Sequence, residues 1–378
     1  MNLKSLFRQS TALFAAAAAL GAVSVTSAFA DETATVDTAF FQGSSTVDTE
    51  SDDVVYGVAA RKPAAGPVNH LWVGSRIETA DFNTSAATIA AFGGSETGAG
   101  VIIGIVDSGL DLDHPQFAGR VLTGNCFGSA SVCNDASALI GGDTGTFPTA
   151  TTHGTHVAGI AAGADVGLAP GASVLPVKVC LTLGNSCPGD IDAAILWAAQ
   201  NGARVINISI SGIAPLSDAT ALSNIAQAVS LGALITTSGG NSGNAQVTAD
   251  KAGLLTNGIY GAAILVGSLG APDGGNPNGL SAFSQTPGTY CLLVSGQKRC
   301  LKDIWLVAPG QGIISTVGGA GDTTGELSGT SMAAPFVAGV AALVLEGHSF
   351  LTPFEVADIL FETAVDLGVT GTERVFGR

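Results

Sequence analysis

Charge is what this chain has least of. Asp, Glu, Lys and Arg together make up 12% of its 378 residues, about half the share usual in globular domains. Basic residues number 14 against 30 acidic ones, for a net charge of −16. So acidic a surface offers no patch for nucleic acid or anionic lipid, and neither is expected as a partner. Beyond the N-terminus no apolar run is long enough to span a bilayer, and the longest, residues 332–345, contains Pro335. Cofactor and metal signals are also scarce. No G-x-G-x-x-G follows the first apolar strand, which argues against dinucleotide binding. His153 and His156 lie three apart with no Glu between them, where the zinc-protease helix needs a four-residue spacing and that Glu. No cysteine pair has C-x-x-C spacing, and no run has the spacing of a calcium loop. No cofactor or metal site is therefore expected, with structural calcium in the acidic loops left open.

What is abundant is glycine, 52 residues, as expected for buried strands joined by tight turns. Short apolar, β-branched runs recur at 101–106, 174–179, 204–210, 233–237, 262–266 and 304–307. Each has the length and character of a strand buried on both faces. Between several of them lie helical patterns, clearest at 153–162, 191–200 and 219–231, and a further helix over 352–366 opens on Thr352-Pro353. A short helix is also expected over 85–92. Strands alternating with helices predict an α/β fold: a doubly wound, mostly parallel sheet with helices on both faces. Functional residues then belong just past the C-terminal ends of the strands.

Residues 1–30 read as a secretory signal, with Lys4 and Arg8, an apolar core and Ala28-Phe29-Ala30 as the cleavage site. Residues 31–66 are polar and aperiodic, an extension or short pro-segment, and residues 67–378 form the main domain. Export predicts an oxidising compartment: secreted, periplasmic or cell-surface. The six cysteines fall as Cys126 and Cys133, Cys180 and Cys187, Cys291 and Cys300. Six allow fifteen connectivities, and local bridges are the simplest, with zinc the weaker rival.

The chemistry centres on Gly329-Thr330-Ser331-Met332-Ala333-Ala334-Pro335 and the apolar run after it. That run predicts a helix buried on all sides, starting at Ser331 with Pro335 in its first turn. Unpaired N–H groups at such an end favour negative charge beside the serine oxygen, although a serine there can also be a plain cap. A serine nucleophile needs a base. Of the five histidines, His348 sits roughly 25 Å away along the same helix. His153-Gly154-Thr155-His156 opens another helix, with His153 at its N-terminus and His156 read as a structural neighbour. Asp107 leaves the first strand in Val106-Asp107-Ser108-Gly109.

These three segments, in this order, closely resemble the signature blocks of subtilisin-like serine peptidases, and the resemblance covers about residues 67–378. It implies Ser331 as nucleophile, His153 as base and Asp107 as the group that orients and stabilises His153. Ser238-Gly239-Gly240-Asn241 resembles the block that supplies the oxyanion-hole amide, with Asn241 as donor; the family more often has two alanines where Ser238 and Gly239 stand. Asn207-Ile208-Ser209-Ile210-Ser211-Gly212 resembles the edge strand that pairs with substrate, implying substrate contacts at Ser209, Ile210, Ser211 and Gly212. The family glycine is replaced by Ser211.

The expected function is a secreted, monomeric serine endopeptidase acting on proteins or peptides. The non-enzymatic rival is a surface passenger or adhesin that keeps the peptidase fold unused. Related chains usually continue past Val375-Phe376-Gly377-Arg378, in autotransported relatives toward a membrane barrel. A serine esterase of the α/β-hydrolase type fits less well, since Ala333 stands where G-x-S-x-G needs its last glycine and only His348 follows the serine.

Overall fold

The computed structural model describes residues 58–61, 70–73, 96–133, 152–180, 186–210, 213, 217–243, 249–270, 279–319 and 321–364. The expected signal, nearly all of the extension, the helix over 85–92 and the chain past residue 364 lie outside these residues. The first two pieces, β1 (Val58–Arg61) and β2 (His70–Val73), pair antiparallel with each other.

The core is one sheet of seven strands: β3 (Ile102–Asp107), β4 (Asn125–Cys126), β5 (Ser173–Lys178), β6 (Val205–Ile208), β7 (Leu234–Ser238), β8 (Ala263–Leu269) and β11 (Trp305–Pro309). Their order is β11-β8-β7-β6-β3-β5-β4, and every neighbouring pair is parallel. Two hairpins flank the sheet, β9 (Cys291–Val294) with β10 (Gln297–Cys300) and β12 (Ile313–Thr316) with β13 (Thr324–Leu327). The helices are α1 (Ala130–Cys133), α2 (Thr152–Ala162), α3 (Ile191–Gln200), α4 (Ala219–Ser230), α5 (Thr330–Gly347) and α6 (Pro353–Thr363). α3 packs with α4 and α2 with α5, the two pairs covering opposite faces of the sheet. This is the doubly wound α/β arrangement expected.

The sequence patterns account for most of these elements. Strands β6, β7 and β8 are buried at every residue, so both faces carry apolar or internally bonded side chains and the period-2 signal disappears. Gly104 in β3 lets α3 approach: a Cβ there would lie 3.3 Å from Ala198 Cβ. α3 and α4 open on Asp190 and Asp218, whose carboxylates accept from the free N–H groups of their first turns. Thr352 and Glu355 close a reciprocal cap on α6, with Pro353 at its first position.

α5 is 18 residues long, apolar enough by length to cross a membrane, but 83% of it is buried inside the protein. It begins at Thr330, one residue before the expected start, and Pro335 is its sixth residue, not part of the first turn. The proline is tolerated because the carbonyl it leaves unclaimed four residues earlier, that of Ser331, finds another donor in Ser209. The run 204–210 also ends early, at Ile208, since Ser209 and Ile210 leave the ladder to meet α5. The two hairpins and β4 escaped sequence reading because their strands are short and partly polar. All three bridges are the local ones: Cys126–Cys133, Cys180–Cys187 and Cys291–Cys300.

One close contact sets a test of this packing. A Cβ at Gly159 in α2 would lie 2.2 Å from Thr316 Oγ1 and 2.3 Å from Ser315 Oγ of β12. Both hydroxyls are committed to α2 carbonyls, Ser315 to His156 and Thr316 to Thr155. Gly159→Ala should therefore destabilise the protein by about 1–3 kcal/mol, read by urea unfolding, although alanine favours helix.

Candidate active site

In the strand order, β5 lies on one side of β3 and β6 on the other. The chain therefore leaves β3 toward one flank and later returns to the other, opening a crevice at the C-terminal ends of these strands. Asp107 is the last residue of β3. Its carbonyl accepts from Val179 N at 2.9 Å and Cys180 N at 3.3 Å, which fixes the strand exit. The Asp107 side chain is buried, and Oδ1 takes Ser108 N–H at 2.7 Å and His153 Nδ1 at 2.8 Å. Oδ2 has no hydrogen-bond partner among the described residues.

His153 reaches Asp107 because α2 starts beside the strand exit. A Cβ at Gly154 would lie 2.1 Å from Gly109 O, so only glycine permits the approach. Ser108 Oγ accepts from Gly154 N at 3.1 Å and fixes the distance. The imidazole is 29% exposed. Burial pushes its pKa down, but the charge of Asp107 and the hydrogen bond to it together outweigh burial and leave it above the ordinary 6.5.

His156, three residues on, is fully buried, and its Nε2 lies 3.1 Å from the carbonyls of both Ile313 and Gly325. Two acceptors at one nitrogen put the proton on Nε2 and tie α2 to the β12–β13 hairpin. Burial pushes its pKa down to about 4. The geometry is structural, but the hydrogen bonds are not the local ones expected of His156: their partners lie 157 and 169 residues along the chain.

Ser331 is the second residue of α5. Its hydroxyl donates to the carbonyl of Ser209 at 3.2 Å, and the Ser209 hydroxyl donates to the Ser331 carbonyl at 2.8 Å. The exchange is extended by Asn207 Nδ2 donating to Ser209 Oγ at 3.0 Å and Thr236 Oγ1 donating to Asn207 Oδ1 at 3.0 Å. A buried hydroxyl-amide chain thus runs from β7 through β6 to the start of α5. Sequence reading gave Asn207 no role of its own and missed Thr236, and polar residues inside otherwise apolar strands were the available signal.

Asn241 follows β7, after Gly239 and Gly240. Its Oδ1 accepts from Thr330 N and from Thr330 Oγ1, each at 2.9 Å, and the N–H contact requires oxygen at that position. The Nδ2 donor is thereby turned toward the start of α5, where it lies 3.3 Å from the Cβ position of Gly329. Thr330 is the missed residue here, since its hydroxyl also accepts from Gly240 N at 3.0 Å.

The substrate segment departs from expectation. β6 is not an edge strand: it lies fourth of seven, between β3 and β7. Ser209 and Ile210 extend past the ladder, but the Ile210 carbonyl accepts from Ser238 Oγ at 3.3 Å. Ser211 and Gly212 lie outside the described residues. Among the described residues no group of three or more His, Cys, Asp or Glu side chains is gathered as for a metal.

Comparison with known proteins places these features in context. A family model described as the subtilase family matches residues 98–378. The chain is 33% identical over 270 residues to an extracellular serine proteinase of Thermus sp. (strain Rt41A), covering 70% of this chain and 55% of that protein. It is 32% identical over 277 residues to subtilisin E of Bacillus subtilis (strain 168), covering 72% of this chain and 62% of the relative. The chain thus spans less than two thirds of the length of either. Among solved structures, a cold-adapted subtilisin-like serine proteinase matches with a TM-score of 0.52 and 27% identity over 75% of this chain and 88% of that one. Sphericase matches with a TM-score of 0.55 and 28% identity over 70% and 82%.

The two histidines of α2 predict opposite pH responses. The folded pKa of His156 is depressed, so its contribution to stability is complete above about 6.5 and is lost as pH falls toward about 4, up to about 3 kcal/mol in all. Urea unfolding of wild type should weaken across this window, and His156→Gln should flatten the slope. The folded pKa of His153 is raised, so its smaller contribution is present below 6.5 and lost as pH rises through the folded value. In Asp107→Asn the His153 ring resonances, followed by NMR, should titrate at lower pH than in wild type.

Proposed function

The chain belongs to the subtilase family, and on that premise we propose that it is an exported serine endopeptidase working through an acyl-enzyme. The observation that carries the reading is the buried Asp107 carboxylate held 2.8 Å from His153 Nδ1, in a chain that also sets Ser331 in the first turn of a buried helix. Asp107 keeps the imidazole proton on Nδ1, which leaves Nε2 bare to act as base. The Ser331 hydroxyl rotates from the Ser209 carbonyl to Nε2, loses its proton there and attacks the substrate carbonyl carbon. The carbonyl oxygen becomes negative and is met by Asn241 Nδ2 and the Ser331 backbone N–H. As the tetrahedral adduct collapses, the C–N bond breaks, the proton on Nε2 passes to the leaving amine and an ester remains on Ser331. Water repeats the sequence with the amine replaced by Ser331 as leaving group.

Several features support this assignment of roles. The raised pKa of His153 accords with a base whose cation is stabilised by Asp107. The helix end at Ser331 carries partial positive charge, which favours an oxyanion. Residues 1–30 are proposed to direct export, in accord with the names of the extracellular relatives, and proteins or peptides are the proposed substrates. Ser209 and Ile210 adjoin the serine and are proposed, with Ser211 and Gly212, as the segment along which an extended substrate lies.

A fluorophosphonate probe should label the secreted protein at Ser331, and Ser331→Ala and His153→Ala should each abolish both labelling and casein cleavage. Asn241→Ala should still label but lose about 10²–10³ in kcat, the magnitude known for an oxyanion donor in subtilisin itself. Failure of folded wild type to label would leave the unused-scaffold reading in its place.

A further inference from the structure

Gly239 stands where the family more often carries alanine. It is not needed there for backbone conformation, because the unusual torsion in this turn belongs to the next residue, Gly240, at φ 115°. The reason is space. A Cβ at Gly239 would lie 2.4 Å from Cη2 and 3.0 Å from Cζ2 of Trp305. Gly267 repeats the pattern, since its Cβ would lie 2.8 Å from Trp305 Cζ2 and 3.0 Å from Nε1.

Strand register explains how one indole meets both glycines. Trp305 of β11 pairs with Leu265 of β8, which pairs with Thr237 of β7. Side chains on one face of a sheet recur every second residue. Gly267 and Gly239, two residues beyond Leu265 and Thr237, therefore fall on the face that carries Trp305. With no side chain at either, they leave a trough across two strands, and the indole lies along it with no exposed surface. Its Nε1 has no hydrogen-bond partner among the described residues.

The far end of the trough is the turn that presents Asn241. Hydrogen bonds hold this turn from the sides. Gly239 N donates to Val266 O at 2.8 Å, Gln285 N to Gly240 O at 2.9 Å, and Lys251 Nζ to the Ser238 carbonyl. Beneath it, the contact is the rim of the indole. We propose that Trp305 is a positioning residue for the oxyanion-binding turn: its ring sets the height of residues 239–241, and Gly239 and Gly267 are glycine to admit it. The role rests on the peptidase reading above. An error of the order of 1 Å at a preorganised donor can cost about 10²-fold in rate, so a support two residues from Asn241 has leverage on catalysis.

The test compares wild type, Gly239→Ala, Trp305→Phe, Trp305→Ala and the double variant G239A/W305F. For each, kcat and KM on a tetrapeptide anilide are expressed per serine titrated with fluorophosphonate, and thermal unfolding is followed alongside. Phe shortens the ring and frees space for a methyl at residue 239. G239A should lose about 10- to 100-fold in kcat with KM within about twofold, because a displaced donor is felt mainly in the transition state. G239A/W305F should return to within about threefold of wild type, since the added methyl replaces the lost ring edge. W305A, which withdraws the support without a clash, should lose about tenfold in kcat and so tests the role even if G239A does not fold. Wild-type kcat in G239A or W305A, or a double variant no better than G239A, overturns the proposal. So does a fall in unfolding temperature with kcat per titrated serine unchanged, which is what plain core packing predicts. A wild type that does not titrate overturns the peptidase reading and the positioning role with it. Titrating wild type with a failed cycle overturns the positioning role alone.

Discussion

The site depends on a carbonyl that its own helix cannot use. Pro335 has no N–H to offer the Ser331 carbonyl, so the first turn of α5 must find a donor outside the helix. Ser209 supplies it, and in return its own carbonyl receives the Ser331 hydroxyl. This exchange joins the end of a central strand to the start of the most buried helix. It also draws Ser209 away from the sheet, and through Asn207 and Thr236 it ties the ends of β6 and β7 to the start of α5. An unsatisfied buried carbonyl costs about 1–3 kcal/mol, so the crossing is held by more than contact area.

Much of this was legible in the sequence for a simple reason. Residues that must approach backbone closely, or act at a strand or helix end, are confined to a few types. Gly154 against Gly109, Asp107 at the end of β3 and Ser331 at the start of α5 are such positions, and each stood out by type and place. Thr330, Asn207 and Trp305 did not. Their work is done across strands, with partners up to 90 residues distant for Thr330, and no local pattern encodes such a pairing. The edge-strand reading, which fails at residues 207 and 208, has the same origin. A strand's neighbours are a property of the whole sheet, and β6 turned out to be central. The departure at Gly239 was visible from the start, but its cause was not, because the ring that occupies the missing methyl's place comes 66 residues later.

His153 and His156 show how little local sequence says about charge. They stand three residues apart on one helix, yet an adjacent carboxylate moves one pKa up and burial, against the pull of two carbonyls, moves the other down. The first arrangement stabilises a cation, and the second requires a neutral ring. Neither histidine could take the other's place, since a carbonyl pair needs a donor and Asp107 needs a proton shared along Nδ1.

The three bridges close loops with sequence separations of 7, 7 and 9. In a chain that emerges from its N-terminus, each cysteine meets its native partner before any cysteine of a later pair has appeared. Order of arrival alone then selects one connectivity out of fifteen. Oxidation can follow the chain outward as a sequence of independent local events, without a later round of thiol exchange to correct mispaired cysteines.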